Sequence, residues 1–172
     1  SSTTAGGLRK TGSGSLVLTN ANTYTGPTYV DAGTLLVNGN QSAATGTVTV
    51  AAGATLGGTG IIGGAVSNSG TLSAGASTGM LTILGTLTLN SGSVTVEEIG
   101  GTVQGAAIDG YDYLSVTGSA ALNGTLAVDL VDGFIPRHSQ SFTILTASAG
   151  LGGTSFVGTS FLDAAIAAVT VN

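Results

Sequence analysis

Carboxylates carry most of the reactive chemistry in this chain. Glu97 and Glu98 adjoin, and Asp109 and Asp112 follow within the same short segment. Such side chains could serve as acid and base on a polysaccharide, or as hard oxygen ligands for calcium. Asp also caps turns through its own backbone, and that reading is favoured for Asp109 and Asp112. An enzyme groove would want Arg or Lys beside its carboxylates, but the only cations are Arg9, Lys10 and Arg137. The one histidine, His138, sits in the polar run Pro136-Arg137-His138-Ser139-Gln140. Without an orienting carboxylate and a nucleophile nearby it reads as a solvated loop residue. One His and no Cys give no zinc ligand set, no disulfide and no thiol chemistry. The Gly-Gly-x-Gly-x-Asp calcium repeat is absent too, because Gly57-Gly58-Thr59-Gly60 runs on into Ile61-Ile62.

Two further residue types merit a test. Tyr24, Tyr29, Tyr111 and Tyr113 could stack on sugar rings, or pack at strand edges and corners. Threonines two apart, at Thr23/Thr25, Thr45/Thr47/Thr49 and Thr86/Thr88, resemble the flat hydroxyl arrays that some solenoids use to bind ice. Their spacing along the chain is not coil-regular, so ordinary strand-surface threonine is expected. Catalytic, cofactor-binding and metal-binding residues are therefore assigned to none, and the chain is expected not to be an enzyme and to need no cofactor.

Composition narrows the classes further. Charged residues are 6% of 172, aromatics 5% and hydrophobics 42%, with 30 glycines and a net charge of −5. There is no basic footprint for phosphate, so nucleic acid is excluded as a partner. The surface must be built from Thr, Ser, Asn and Gly, unlike the Lys- and Glu-rich surface of ordinary cytosolic domains. No stretch approaches the roughly 20 apolar residues of a membrane-spanning helix.

The elements that must carry these residues announce themselves by a recurring phrase. Gly14-Ser15-Leu16, Gly33-Thr34-Leu35, Gly53-Ala54-Thr55-Leu56, Gly70-Thr71-Leu72, Gly85-Thr86-Leu87 and Gly124-Thr125-Leu126 each open a short alternating run. The steps between their leucines are about 15 to 21 residues, with a last one of about 39 that leaves room for a degenerate copy. Ser15 to Thr19, Thr47 to Val50, Thr86 to Leu89, Ser93 to Val96 and Ser141 to Ile144 alternate at period two, so branched apolar groups are expected inside and hydroxyls outside. Asn-Gly and Gly-Gly clusters between them supply positive φ for corners. An antiparallel sandwich would want denser hairpins and larger aromatics. The fold expected is all-β, a parallel β-helix or β-solenoid of roughly eight coils with little or no helix, residues 162–168 being the one short helical candidate. Exposed end coils suggest a neighbour, either more of a longer chain or an end-to-end homo-oligomer.

The segment from 6 to 39, GGLRKTGSGSLVLTNANTYTGPTYVDAGTLLVNG, closely resembles the passenger-associated β-strand repeat of bacterial autotransporters. VEEIGG at 96 to 101 and the stretch 111 to 147 resemble the C-terminal part of such passengers. The resemblance implies a right-handed parallel β-helix in one domain over 1–172, with the repeat at 6–39, degenerate coils at 40–95 and a C-terminal passenger-like segment at 96–172. It implies export across the bacterial outer membrane to the cell surface or medium. The implied partner is a C-terminal outer-membrane barrel of the same or a related chain, and the implied role is a stalk or adhesin scaffold that assists passenger secretion and folding, with a surface ligand such as a glycan. The alternatives are a subunit that polymerises into an extracellular filament, and a carbohydrate-active β-helix enzyme using Glu97, Glu98, Asp109 or Asp112.

Overall fold

The chain winds into a stack of coils, each contributing one short strand to each of up to three parallel sheets. This architecture is seen in a computed structural model that describes residues 5–75, 77–161 and 169–171. Coil 1 contains β1 (Leu8–Lys10) and β2 (Ser15–Leu18). Coil 2 contains β3 (Thr28–Val30), β4 (Thr34–Val37) and β5 (Asn40–Gln41). Coil 3 contains β6 (Val48–Val50), β7 (Thr55–Gly58) and β8 (Ile61–Ile62). Coil 4 contains β9 (Val66–Asn68), β10 (Thr71–Ala74) and β11 (Met80–Ile83). Coil 5 contains β12 (Leu87–Leu89), β13 (Val94–Ile99) and β16 (Tyr113–Val116), with an excursion holding β14 (Val103–Gln104) and β15 (Gly110–Tyr111). Coil 6 contains β17 (Ala120–Ala121), β18 (Thr125–Leu130) and β19 (Phe142–Ala147). Coil 7 contains β20 (Gly158–Phe161) and β21 (Val169–Val171).

The first sheet runs β1-β3-β6-β9-β12-β17, the second β2-β4-β7-β10-β13-β18-β20 and the third β5-β8-β11-β16-β19-β21. Among named strands the antiparallel exception is β15, which folds back on the end of β13 with Ile99 opposite Tyr111. The expected parallel β-solenoid is therefore observed. The candidate helix at residues 162–168 lies outside the described residues.

Like residues stack on like along the core. Leu16, Leu35, Leu56 and Leu72 lie in register on the second sheet. Leu81, Leu114 and Leu145 do so on the third. Small residues make the corners possible. A Cβ on Gly46 would press on the Gly26 carbonyl, and one on Gly64 on the Gly46 carbonyl, each at 2.0 Å. Successive coils thus approach backbone to backbone at the corner that leads into the first sheet. Asn68 is fully buried at the next corner, where its side-chain oxygen accepts from the Gly70 amide and its side-chain nitrogen donates to the Gly70 carbonyl. That exchange satisfies a polar group which would otherwise destabilise the core.

Two expectations need correction. The coil number is not one of them: among the described residues the second sheet holds seven rungs, the excursions at 100–112 and 131–141 using chain without adding rungs. Gly85-Thr86-Leu87 is not the next copy of the recurring phrase. Leu87 belongs to the first sheet, between Val66 and Ala120, while Leu72 stacks on Thr95. On β13 the alternation is inverted, with Thr95 and Glu97 buried and Val94 and Val96 half-buried on the outside. Turn geometry accounts for this. The turn Asn90 to Ser93 closes with Ser93 N donating to Asn90 O and Gly92 at φ 81°, as Ala51 to Ala54 closes with Gly53 at φ 81°. The matching turns bring Thr95 to the inward position that Leu56 holds, and turn geometry fixes which parity of a strand faces in.

Leu56, wholly buried between Leu35 and Leu72, tests the stack. Leu56→Ala should cost about 2–5 kcal/mol in denaturant unfolding. Leu36→Ala on the outer face of the neighbouring strand should cost clearly less, and equal costs would contradict the inward stack.

Candidate functional site

The outer faces of the sheets are where this fold meets its surroundings, and the first two carry the longest columns of polar side chains. In a strand, side chains alternate between faces, so one outward residue per short strand builds a column up the rod. On the first sheet that column reads Arg9, Tyr29, Thr49, Ser67, Thr88 and Ala121. On the second it reads Ser15, Thr34, Thr55 and Thr71, is interrupted by Val94, and resumes at Thr125. Hydroxyls therefore recur once per coil over parts of both columns; Thr49 and Thr88 are members of the Thr-x-Thr sets, and the remaining positions are single Thr or Ser residues drawn from different coils. Adjacent hydroxyls in each column are spaced by about 4.8 Å, the distance between hydrogen-bonded strands.

One end of the first column carries the charged and aromatic groups. The Arg9 Nε donates to Asp31 Oδ2 at 2.6 Å, and its guanidinium lies 5.4 Å from the centre of the Tyr29 ring. Both contacts are solvent-exposed and worth little in stability. Lys10 points the other way. It is buried, and its Nζ donates to the carbonyls of Thr11, Gly12 and Ala32 at 3.0, 2.7 and 2.9 Å. Its charge ties the first turn to the second coil and is not offered to a ligand.

The four acidic candidates do not form one accessible site. Glu97 lies in the core of β13 and neither carboxyl oxygen has a partner. Burial, with the nearby Asp112 charge adding to it, pushes its pKa well above the ordinary carboxylate range. Asp112 is also buried. Its oxygens accept from the Gly79 and Glu98 amides, both at 2.8 Å, joining coil 4 to coil 5 at the mouth of the 100–112 excursion. Burial lifts it to about 8 even though those two donors pull the other way. It caps no local turn, since its partners are 33 and 14 residues away. Asp109 is exposed at φ 51° in the excursion's return turn. Glu98 is on the outer face in register with Asp129, and burial followed by Asp129 and Asp132 raises its pKa. Among the described residues no group of three or more His, Asp or Glu side chains is arranged to hold a metal ion.

The tyrosines divide by role. Tyr111 is buried edge-on against Phe142 at 5.2 Å, and Phe134 packs edge-on against Phe142 at 6.1 Å. The Tyr24 hydroxyl pairs with that of Thr28, and Tyr113 pairs with Thr146. Tyr29, at 39% exposure, is the one whose ring faces solvent most openly among those with no hydroxyl partner recorded in the described residues. His138 is exposed in its loop.

Residues 8–37, which span coil 1 and most of coil 2, match the family model of the Passenger-associated-transport-repeat. This segment is therefore similar to a passenger-associated transport repeat. Over 63 residues, 37% of the chain, the protein is 52% identical to the Adhesin BmaC autotransporter of Brucella suis biovar 1 (strain 1330), and the aligned stretch is 2% of that relative. The chain thus spans only a small part of the curated relative's length. No solved structure matches it significantly. The matched repeat contains Arg9, Lys10, Tyr29 and Asp31, so the exposed contact group and the buried lysine tether both lie within it.

The buried acids make stability pH-dependent. Each has a folded-state pKa above its unfolded value, so the stability they allow is fully present at low pH and is lost as pH rises, between about 4 and about 8 for Asp112. Chemical denaturation across this range should show falling stability, and Glu97→Gln should flatten the slope even if the buried amide lowers stability throughout. Superimposable slopes would show that the Glu97 pKa is the same in the folded and unfolded chain, against the shift that burial imposes.

Proposed function

We propose that the chain is a non-enzymatic section of an autotransporter passenger, a β-helical rod displayed at the cell surface or released from it as a stalk or adhesin scaffold. The observation that carries this reading is the passenger repeat at 8–37, whose strands are in register with the coils that follow. The name of the relative, an autotransporter adhesin, supports it from outside the chain. In this reading the whole of 1–172 acts as one solenoid domain, and an outer-membrane barrel of the same or a related chain delivers it. The hydroxyl columns, with Arg9 and Tyr29 at one end, would meet a ligand rich in hydrogen-bonding groups, such as a glycan. Many weak, regularly spaced polar contacts suit such a ligand better than a single deep pocket.

The segment 96–172 is proposed to assist folding of the emerging passenger. The aromatic cluster of Tyr111, Phe134 and Phe142 gives it larger core side chains than the leucine and valine coils before it. Larger apolar groups bury more surface per rung and make a stronger nucleus for stacking.

Surface display tests both parts. Residues 1–172 placed between a secretion signal and an autotransporter barrel in a Gram-negative host should become accessible to external protease. Removing 96–172 should lower display and raise degradation inside the envelope. Retention of the full segment inside the cell would contradict the passenger reading, and undiminished display of the shortened one would contradict the folding role.

A further inference from the structure

The chain has two Asn-Gly pairs, Asn38-Gly39 and Asn123-Gly124, and the fold treats them differently. In the first, Gly39 N donates to the Leu18 carbonyl at 2.8 Å, while the Asn38 side-chain oxygen accepts from Thr59 N at 3.2 Å. Both reactive partners are engaged elsewhere. In the second, the Gly124 amide donates to the Oδ1 of Asn123 itself at 2.8 Å. The nucleophilic nitrogen therefore rests beside the side-chain amide it would attack, and reactions are accelerated when the reacting groups are held this close. Gly124 adopts φ 68°, a conformation that glycine reaches without strain.

We infer that Asn123-Gly124 is a built-in site of spontaneous succinimide formation, selected by the fold over Asn38-Gly39. The Gly124 nitrogen forms a bond to the Asn123 side-chain carbonyl carbon and gives up its proton. The side-chain nitrogen departs as ammonia, leaving a five-membered imide. Water then adds to one of the two imide carbonyls, opening the ring to aspartate or, by the other carbonyl, to isoaspartate. No oxidant or enzyme is needed, and the water arrives through a groove of about 230 Å³ bordered by Ser91, Asn123, Thr125 and Val157.

The position makes the product consequential. The Gly124 carbonyl accepts the Val157 and Gly158 amides of coil 7, and the Thr125 amide next to it donates to Ser93 of coil 5. Isoaspartate lengthens the backbone at this corner and adds a carboxylate, so three coils lose their alignment there. The rod would carry a slow, irreversible change concentrated in its C-terminal coils.

Peptide mapping with isoaspartyl methyltransferase labelling, during incubation of the folded protein in mildly alkaline buffer, tests the inference. Asn123 should convert several-fold faster than Asn38, and the ratio should collapse when the chain is held unfolded in urea. A ratio that is the same folded and unfolded would show that local sequence alone sets the rates and would overturn the inference. Failure of Asn123 to convert in the folded protein would overturn it as well. Asn123→Gln should abolish the product at this position and preserve the rest of the map.

Discussion

Backbone hydrogen bonding between successive coils is the constraint on which everything else in this protein depends. A strand of three or four residues cannot satisfy its own amides and carbonyls, so each rung relies on the rung before and after it. At the corner leaving the first sheet the same bond recurs: Asp31 N to Lys10 O, Ala51 N to Val30 O, Ser69 N to Val50 O and Asn90 N to Asn68 O, at 2.8 to 2.9 Å. This lattice holds equivalent residues in register, which produces the leucine columns inside and the hydroxyl columns outside together. It also brings backbones close enough at Gly46 and Gly64 to exclude a side chain. Stability in such a fold is close to a sum of neighbour contacts, so a local fault weakens the rungs beside it rather than the whole rod.

The same economy leaves little for reaction chemistry. The described ion pair, Arg9 with Asp31, is on the surface, and the lysine beside it is spent on three carbonyls. Buried ionisable groups are instead used, at a cost, inside coil 5. Asp112 offsets part of its burial by accepting two amides from different coils, whereas Glu97 has no such partner and burial drives its pKa well above the ordinary carboxylate range. These are features of a framework that is fixed in place at its excursions. They do not arrange carboxylates around a substrate, since Glu97 and Asp112 are sealed from solvent and Asp109 is alone on the outer turn.

The legible part of the fold was the part written in periodicity. The phrase ending in Leu16, Leu35, Leu56 and Leu72 located one column of the second sheet, and the Thr47 to Val50 alternation gave the correct inward face. Legibility failed where turns overrule hydrophobic pattern. Nothing in Ser93-Val94-Thr95-Val96 signals that Thr95 faces in, because that parity follows from the glycine turn before it. Leu87 misled for a related reason, since a phrase that opens strands in one sheet also opens one in another. The hydroxyl columns were hidden because register pairs residues at unequal chain separations, such as Thr55 with Thr34 and with Thr71. Asp112 could have been suspected from its place at the end of an excursion, but its two amide partners are remote in sequence and only the fold reveals them.

Register between coils 4 and 5 is the point at which the structure and the sequence phrase disagree, and it tests the stack most directly. The chain has no cysteine, so engineered pairs report without background. Thr71 and Val94 are paired in register, and adjacent parallel strands place α-carbons within the range a disulfide spans. Oxidation of a Thr71→Cys, Val94→Cys variant should close an intramolecular disulfide, while a Thr71→Cys, Thr86→Cys variant should remain reduced. Cross-linking of the second pair and not the first would contradict the coil register on which this account rests.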